Sequence, residues 1–270
     1  MPYAKVSDIN IYYEMDGEGE PLVFINGWFM PLGLFYPLVP VFAREYQVIT
    51  FDNRGAGKSD APEGLYSLEI MAEDLAGLLD NIGIKKAHFL GHSMGARIAE
   101  EMALSFPEKV RSIILAGPIT YSSEISWQPK PVTKEEIKLW EEQPLEEWAW
   151  KLLSDRVNDD FISKNRQLAE NMVKVIMEGC GPPHAREGHT NASRLYDNYE
   201  RLPEIKAPTL ILAGREDMTV PLENILILKE RIPGAELAVL DSVRHFMMWE
   251  AFDESNRIIL DFLGKHSVLE

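Results

Sequence analysis

A serine between two glycines, Gly91-His92-Ser93-Met94-Gly95, separates an apolar run at Lys86 to Leu90 from a segment whose Ile98, Ala99, Met102, Ala103 and Phe106 share one helical face. That context suits a nucleophile elbow, a strained strand-to-helix corner where small residues two positions either side let the backbone pass and leave the serine hydroxyl free. The bare pattern arises by accident in roughly one chain in ten of this length, so the flanking strand and helix carry the assignment. Ser93 is the candidate nucleophile. Near neutral pH a serine hydroxyl is weak and needs a base within hydrogen-bond reach, with a third group holding that base in one tautomer. His245 is the candidate base and Asp217 the candidate orienting acid. Asp241 and Glu216 are rivals for the acid, and Asp217 has the better loop position. Other histidines fit worse: His92 adjoins Ser93, His88 lies inside a strand and His266 is in the tail.

The elements that must position these groups alternate. Strands are expected at Ile9 to Met15, Pro21 to Ile25, Tyr46 to Phe51, the elbow strand, Val110 to Ala116, Pro208 to Gly214 and Ala235 to Leu240. Ser67 is the expected N-cap of a helix bearing Leu68, Met71, Leu75, Leu78, Leu79 and Ile82, with Gly83 as its stop. Leu222 to Arg231 reads as a helix, and Phe246 through Phe262 as a closing amphipathic one. Strands and helices in alternation imply a doubly wound, mostly parallel sheet covered on both faces. In such a sheet, groups that meet at a ligand lie in loops at the carboxyl ends of strands, where Ser93, Asp217 and His245 all fall. From Thr120 to Leu202 strand-like runs vanish, and the segment is charged and aromatic, with Trp127, Trp140, Trp148 and Trp150. Helices are expected there at Lys134 to Glu142, Leu145 to Leu153 and Phe161 to Met177, an insert able to wall an apolar pocket.

The formal charge of -16 on 270 residues, 46% of them hydrophobic, disfavours nucleic acid and anionic membrane surfaces as partners. The one cysteine, Cys180, excludes an internal disulfide and fits a reducing compartment. With no apolar leader at Met1 to Val6 and no apolar stretch of bilayer length, cytoplasmic residence is the default expectation. Gly57-Lys58-Ser59 ends like a phosphate-binding loop, but Asp52 stands where the first glycine of that pattern belongs and Ala61-Pro62 follows instead of a helix. Asp52 and Arg54 are expected to pin this loop by hydrogen bonds. His184 and His189 have poor spacing for a metal and read as part of a solvated loop.

Gly91-His92-Ser93-Met94-Gly95, Asp52-Asn53-Arg54-Gly55-Ala56-Gly57-Lys58-Ser59, Gly214-Arg215-Glu216-Asp217 and the late His245-Phe246 together resemble the α/β-hydrolase superfamily over essentially the whole chain. The order Ser, Asp, His agrees with that arrangement. The resemblance implies an α/β fold with an eight-stranded, mostly parallel sheet in two core parts, 1–118 and 204–270, around a helical cap at 119–203. It implies an oxyanion hole from the backbone N–H groups of Trp28 and Met94, no cofactor and no metal. Asn26-Gly27 replaces the His-Gly more usual in the family. The implied activity is serine hydrolysis of a small ester or lactone, probed first on carboxylesters. A carbon-carbon bond hydrolase and a noncatalytic small-molecule receptor are the other readings on this fold. An enol-lactonase needs a cation for the substrate carboxylate, for which Arg186, Arg194 and Arg244 are candidates.

Overall fold

The computed structural model describes residues 2–120 and 133–267; Trp127 and part of the expected cap lie outside the described residues. Eight strands form one sheet: β1 (Tyr3–Val6), β2 (Ile9–Asp16), β3 (Glu20–Ile25), β4 (Tyr46–Phe51), β5 (Ala87–His92), β6 (Val110–Ala116), β7 (Thr209–Gly214) and β8 (Glu236–Leu240). Their order is β1-β2-β4-β3-β5-β6-β7-β8. Pairing is antiparallel between β1 and β2 and between β2 and β4, and parallel from β4 through β8. Every residue of β5 and of β7 is buried, as expected for central parallel strands covered on both faces. β1 alternates between exposed and buried as a half-covered strand should, but at four residues it is too short for that alternation to stand out in the sequence.

The helices are α1 (Val39–Phe42), α2 (Leu68–Asn81), α3 (Met94–Ser105), α4 (Lys134–Glu142), α5 (Leu145–Ser154), α6 (Asp159–Lys164), α7 (Arg166–Gly179), α8 (Pro183–Leu195), α9 (Leu222–Arg231), α10 (Met247–Glu250) and α11 (Phe252–His266). The Ser67 hydroxyl accepts from the Ile70 N–H at 3.2 Å and so caps α2, and Gly83 takes φ +79° just past its end. α4 to α8 all fall between β6 and β7. No described helix is long and apolar enough to cross a membrane.

Three expectations need correction. The helix expected over Phe161 to Met177 is two, because Asn158 caps α6 from the front and Asn165 leaves helical geometry at φ -126°, ψ 44°. The closing helix likewise breaks at Ala251, φ -110°, ψ 52°. The supposed solvated loop around His184 and His189 is helix α8. Pro183 sits at its first turn, where a missing N–H does no harm, and Gly188 gives no loop at all. A Cβ on Gly188 would lie 2.7 Å from the Tyr66 ring, so this glycine serves close packing.

The loop after β4 is pinned as its residue types suggest. Asp52 accepts from the Leu32 N–H at 2.6 Å and the Lys58 N–H at 2.8 Å, while Arg54 grips Asp74 through two bonds of 2.6 and 2.8 Å. The Asp52 carboxylate thus takes up the Lys58 N–H of the loop that ends like a phosphate-binding one.

Candidate active site

Ser93 stands between β5 and α3, as the residue before the first turn of the helix, at φ 54°, ψ -118°, a strained region for a residue with a Cβ. The glycines explain how the corner is tolerated. A Cβ on Gly91 would come within 2.3 Å of the Gly95 carbonyl oxygen, and one on Gly95 within 2.1 Å of the Ile25 oxygen. The Ser93 N–H donates to the Ala116 oxygen at 2.8 Å, fixing the corner to the end of β6.

His245 lies in the loop beyond β8, and its Nδ1 is 2.7 Å from Asp217 Oδ2 in the loop beyond β7. Asp217 Oδ1 meanwhile accepts from the N–H groups of Thr219 at 2.7 Å and Val220 at 3.0 Å. Burial pushes this carboxyl up, but the facing His245 and the two backbone donors outweigh it and leave Asp217 below the usual carboxylate range. An ionised Asp217 therefore keeps the proton on Nδ1 and leaves Nε2 as the acceptor. The rival acids are elsewhere: Asp241 is exposed and paired with Arg215, and Glu216 is exposed. His88 is buried in β5 against Ser112, and His266 ends α11.

Ser93 and His245 share the end of β6. A Cβ on Gly117 would stand 3.1 Å from His245 Cε1, one residue beyond the Ala116 oxygen that holds Ser93. Among the described residues the two side chains form no direct hydrogen bond, a contact that commonly tightens only once substrate is bound.

The loop after β3 runs against the elbow. A Cβ on Gly27 would come within 3.1 Å of Ser93 Cβ, so Trp28 follows directly on a residue touching Ser93. Among the described residues neither the Trp28 nor the Met94 N–H donates a hydrogen bond, and Met94, as first residue of α3, has no intrahelical acceptor. Asn26 braces this loop internally, donating from its amide to the Pro31 oxygen at 2.6 Å.

Two histidines that sequence reasoning set aside shape the site. The His92 ring turns away from Ser93, and its Nε2 meets the His245 carbonyl oxygen at 3.0 Å while the ring stacks on Phe246. Burial pulls His92 down to about 3, so it is neutral and its Nε2–H donates. His189 is fully buried: Nδ1 accepts from the Phe29 N–H at 3.1 Å and Nε2–H donates to the Arg54 oxygen at 2.7 Å. It thereby holds Phe29, at φ 56°, in the left-handed conformation that follows Trp28.

Protonating His189 would set a donor against the Phe29 N–H. Burial first, opposed by its bond to Arg54, lowers this ring to about 4 from an ordinary 6.5. The unfolded chain thus takes up the proton first, and the stability from neutral His189 is lost as pH falls from about 6.5 to 4. Glu100, pushed up to about 7, and Asp52, to about 6, run the other way: their burial favours the fold as pH falls. The contribution of His189 therefore shows only against a variant. The stability difference between wild type and His189→Gln, measured by urea unfolding, is expected to shrink by about 2 kcal/mol from pH 7 to pH 5. A pH-independent difference would mean that this ring does not titrate as its burial implies.

The alpha/beta hydrolase fold family matches residues 20–252. The putative carbamate hydrolase RutD of Azorhizobium caulinodans is 31% identical over 271 residues, covering 98% of this chain and 99% of that protein. A 2-hydroxy-6-oxononadienedioate/2-hydroxy-6-oxononatrienedioate hydrolase of Paraburkholderia phymatum is 33% identical, covering 96% of this chain and 92% of its own. Among solved structures, Est816, described as an N-acyl homoserine lactone degrading enzyme, superposes with a TM-score of 0.83 at 29% identity over 97% of this chain and all of its own.

Proposed function

The chain belongs to the alpha/beta hydrolase fold family, and from that premise we propose that it is a serine hydrolase cleaving a carboxylic ester or lactone of a small, largely apolar substrate through an acyl-enzyme. The observation that carries this reading is the 2.7 Å contact between His245 Nδ1 and Asp217 Oδ2, in a loop that meets the elbow serine at the end of β6. Ser93 Oγ attacks the carbonyl carbon while His245 Nε2 takes its proton. The oxyanion is received by the Trp28 and Met94 N–H groups, each worth roughly a hundredfold or more in rate. His245 then gives its proton to the departing alcohol, and a water deprotonated by the same nitrogen releases the acid. In this reading helices α4 to α8 belong to a cap over 119–203 that walls the acyl pocket, between core parts 1–118 and 204–270.

Carbon-carbon bond hydrolysis of a vinylogous diketone is the second reading, favoured by relatives named for that reaction at 32–33% identity. One panel separates the two: initial rates on p-nitrophenyl esters from acetate to long acyl chains, and on a dienol diketone. Ester turnover with a chain-length optimum is the expected result. Diketone cleavage with no ester turnover would move the assignment to carbon-carbon hydrolysis, and saturable tight binding without turnover of either would mark a receptor.

A further inference from the structure

Arg186, on α8, lies among three indole rings: its guanidinium carbon is 4.3 Å from the Trp140 ring centre, 4.4 Å from that of Trp148 and 5.5 Å from that of Trp28. Indole faces attract a cation but offer no lone pair to its N–H groups. Nε and Nη2 of Arg186 are both buried and find no acceptor among the described residues. Among the described residues Arg97, Arg111, Arg194 and Arg231 each leave one buried nitrogen without an acceptor and Arg186 alone leaves two, and several arginines of the fold have an acidic partner, Arg111 in Glu20 and Arg231 in Glu200 among them. Arg54 has Asp74, Arg201 has Glu101, and Arg244 has Asp159 and the Val157 oxygen. Burial lowers the Arg186 guanidinium to about 10, with Cys180 opposing, so it stays cationic at neutral pH. Buried donors without an acceptor are costly, and a purely structural cation has no need of them.

Beside this cation is a cavity of about 110 Å³ whose walls include Phe29, Trp140, Leu145 and Cys180, with Arg186 as its cationic edge and Glu187, exposed to solvent, as its one acidic wall residue. The Cys180 thiol, pushed up to about 11 by burial, adds no charge there. The cavity is tied to the elbow through a short run of contacts. Gly27 abuts Ser93, Trp28 follows Gly27, and the Trp28 ring faces the guanidinium. Helix α8 fixes both ends of that run, because Thr190 Oγ1 accepts from Trp28 Nε1–H at 2.9 Å and donates to the Arg186 oxygen at 2.8 Å.

We propose that Arg186 and its tryptophan cage form a carboxylate subsite, so that the substrate is an ester or lactone carrying a carboxylate on an apolar arm. This rests on the serine-hydrolase reading for its catalytic end. A carboxylate arriving at the guanidinium takes up unpaired N–H donors in a site already partly stripped of water, where charge-assisted bonds are strong. The methylene arm lies along the indoles, which reject a polar chain without a terminal charge.

The test compares mono-p-nitrophenyl adipate with p-nitrophenyl hexanoate in wild type, Arg186→Gln and Arg186→Lys, together with calorimetric binding of free adipate. In Arg186→Gln the adipate-to-hexanoate ratio of kcat/KM is expected to fall about 10- to 100-fold, through KM, with Arg186→Lys between the two, and adipate binding is expected to weaken at least tenfold. An unchanged ratio with unchanged adipate binding overturns the subsite, as does an equal loss on both esters, which would mark a merely structural cation. If Arg186→Gln does not fold, Arg186→Lys alone decides, since it keeps the charge but loses the planar fork. Failure of the two readings is distinguishable: Ser93-dependent hexanoate turnover with no effect of Arg186 defeats only the subsite. No turnover of either ester defeats the ester reading while adipate calorimetry still tests Arg186.

Discussion

Ser93→Ala is expected to bring ester hydrolysis down by roughly 10⁴-fold or more, to the level that oxyanion donors and binding alone sustain, while the melting temperature stays within a few degrees of wild type. The two halves of this expectation have separate causes. Ser93 Oγ is the atom that would form the acyl bond. His92 is turned away, committed to the His245 carbonyl oxygen. Stability, by contrast, is invested in the backbone of the corner. The Ser93 N–H to Ala116 bond and the close approach of Gly91 and Gly95 to their neighbours survive loss of the hydroxyl. Alanine also carries the same Cβ into the same φ of 54°, so the strain is neither relieved nor increased. Parallel initial-rate and thermal-unfolding measurements on purified protein check both halves. Substantial residual turnover would reject Ser93 as nucleophile and with it the acyl-enzyme.

What the sequence makes legible here follows the range of the interactions concerned. The elbow is local: strand, Gly-x-Ser-x-Gly and helix stand within about twenty residues, and hydrophobic periodicity together with glycine spacing is enough to read them. The same holds for β4, β6 and α9, whose bounds agree with the periodic runs that predict them. The choice among Asp217, Asp241 and Glu216 is not local. It depends on which carboxylate the fold turns inward, and only Asp217 is buried against His245. The region after Gly179 was harder still, since Gly181, Pro182, Pro183 and Gly188 are each turn formers in isolation. In the fold Pro183 starts α8 and Gly188 lets it approach Tyr66, so tertiary packing overrides local propensity. His189 and Arg186 acquire their surroundings only from that helix. No pattern in the chain announces that an Asn26 loop, two helices and α8 will converge on one guanidinium.

Asp217→Asn is expected to lower kcat/KM by about 10³- to 10⁴-fold, whereas Asp241→Asn is expected to stay within about twofold of wild type. The size of the first effect follows from how the Asp217 carboxylate is held. Oδ1 accepts from the Thr219 and Val220 N–H groups, so an asparagine at 217 keeps its carbonyl oxygen on those donors and turns its NH₂ toward His245. That NH₂ can only donate, and His245 Nδ1 must then become the acceptor, which moves the ring proton to Nε2. The nitrogen facing Ser93 now carries a proton and cannot take another. The base is thus disabled by tautomer, with His245 still in place and its carbonyl still held by His92 at 3.0 Å. Loss of the ionised carboxylate also removes the group that would stabilise the imidazolium formed during attack. Asp241, exposed and paired with Arg215, touches neither process. The discriminating measurement is kcat/KM for both variants on one ester at neutral pH, with unfolding curves to confirm that each is folded. A larger loss in Asp241→Asn than in Asp217→Asn would transfer the orienting role to Asp241 and require the His245 loop to rearrange when substrate binds.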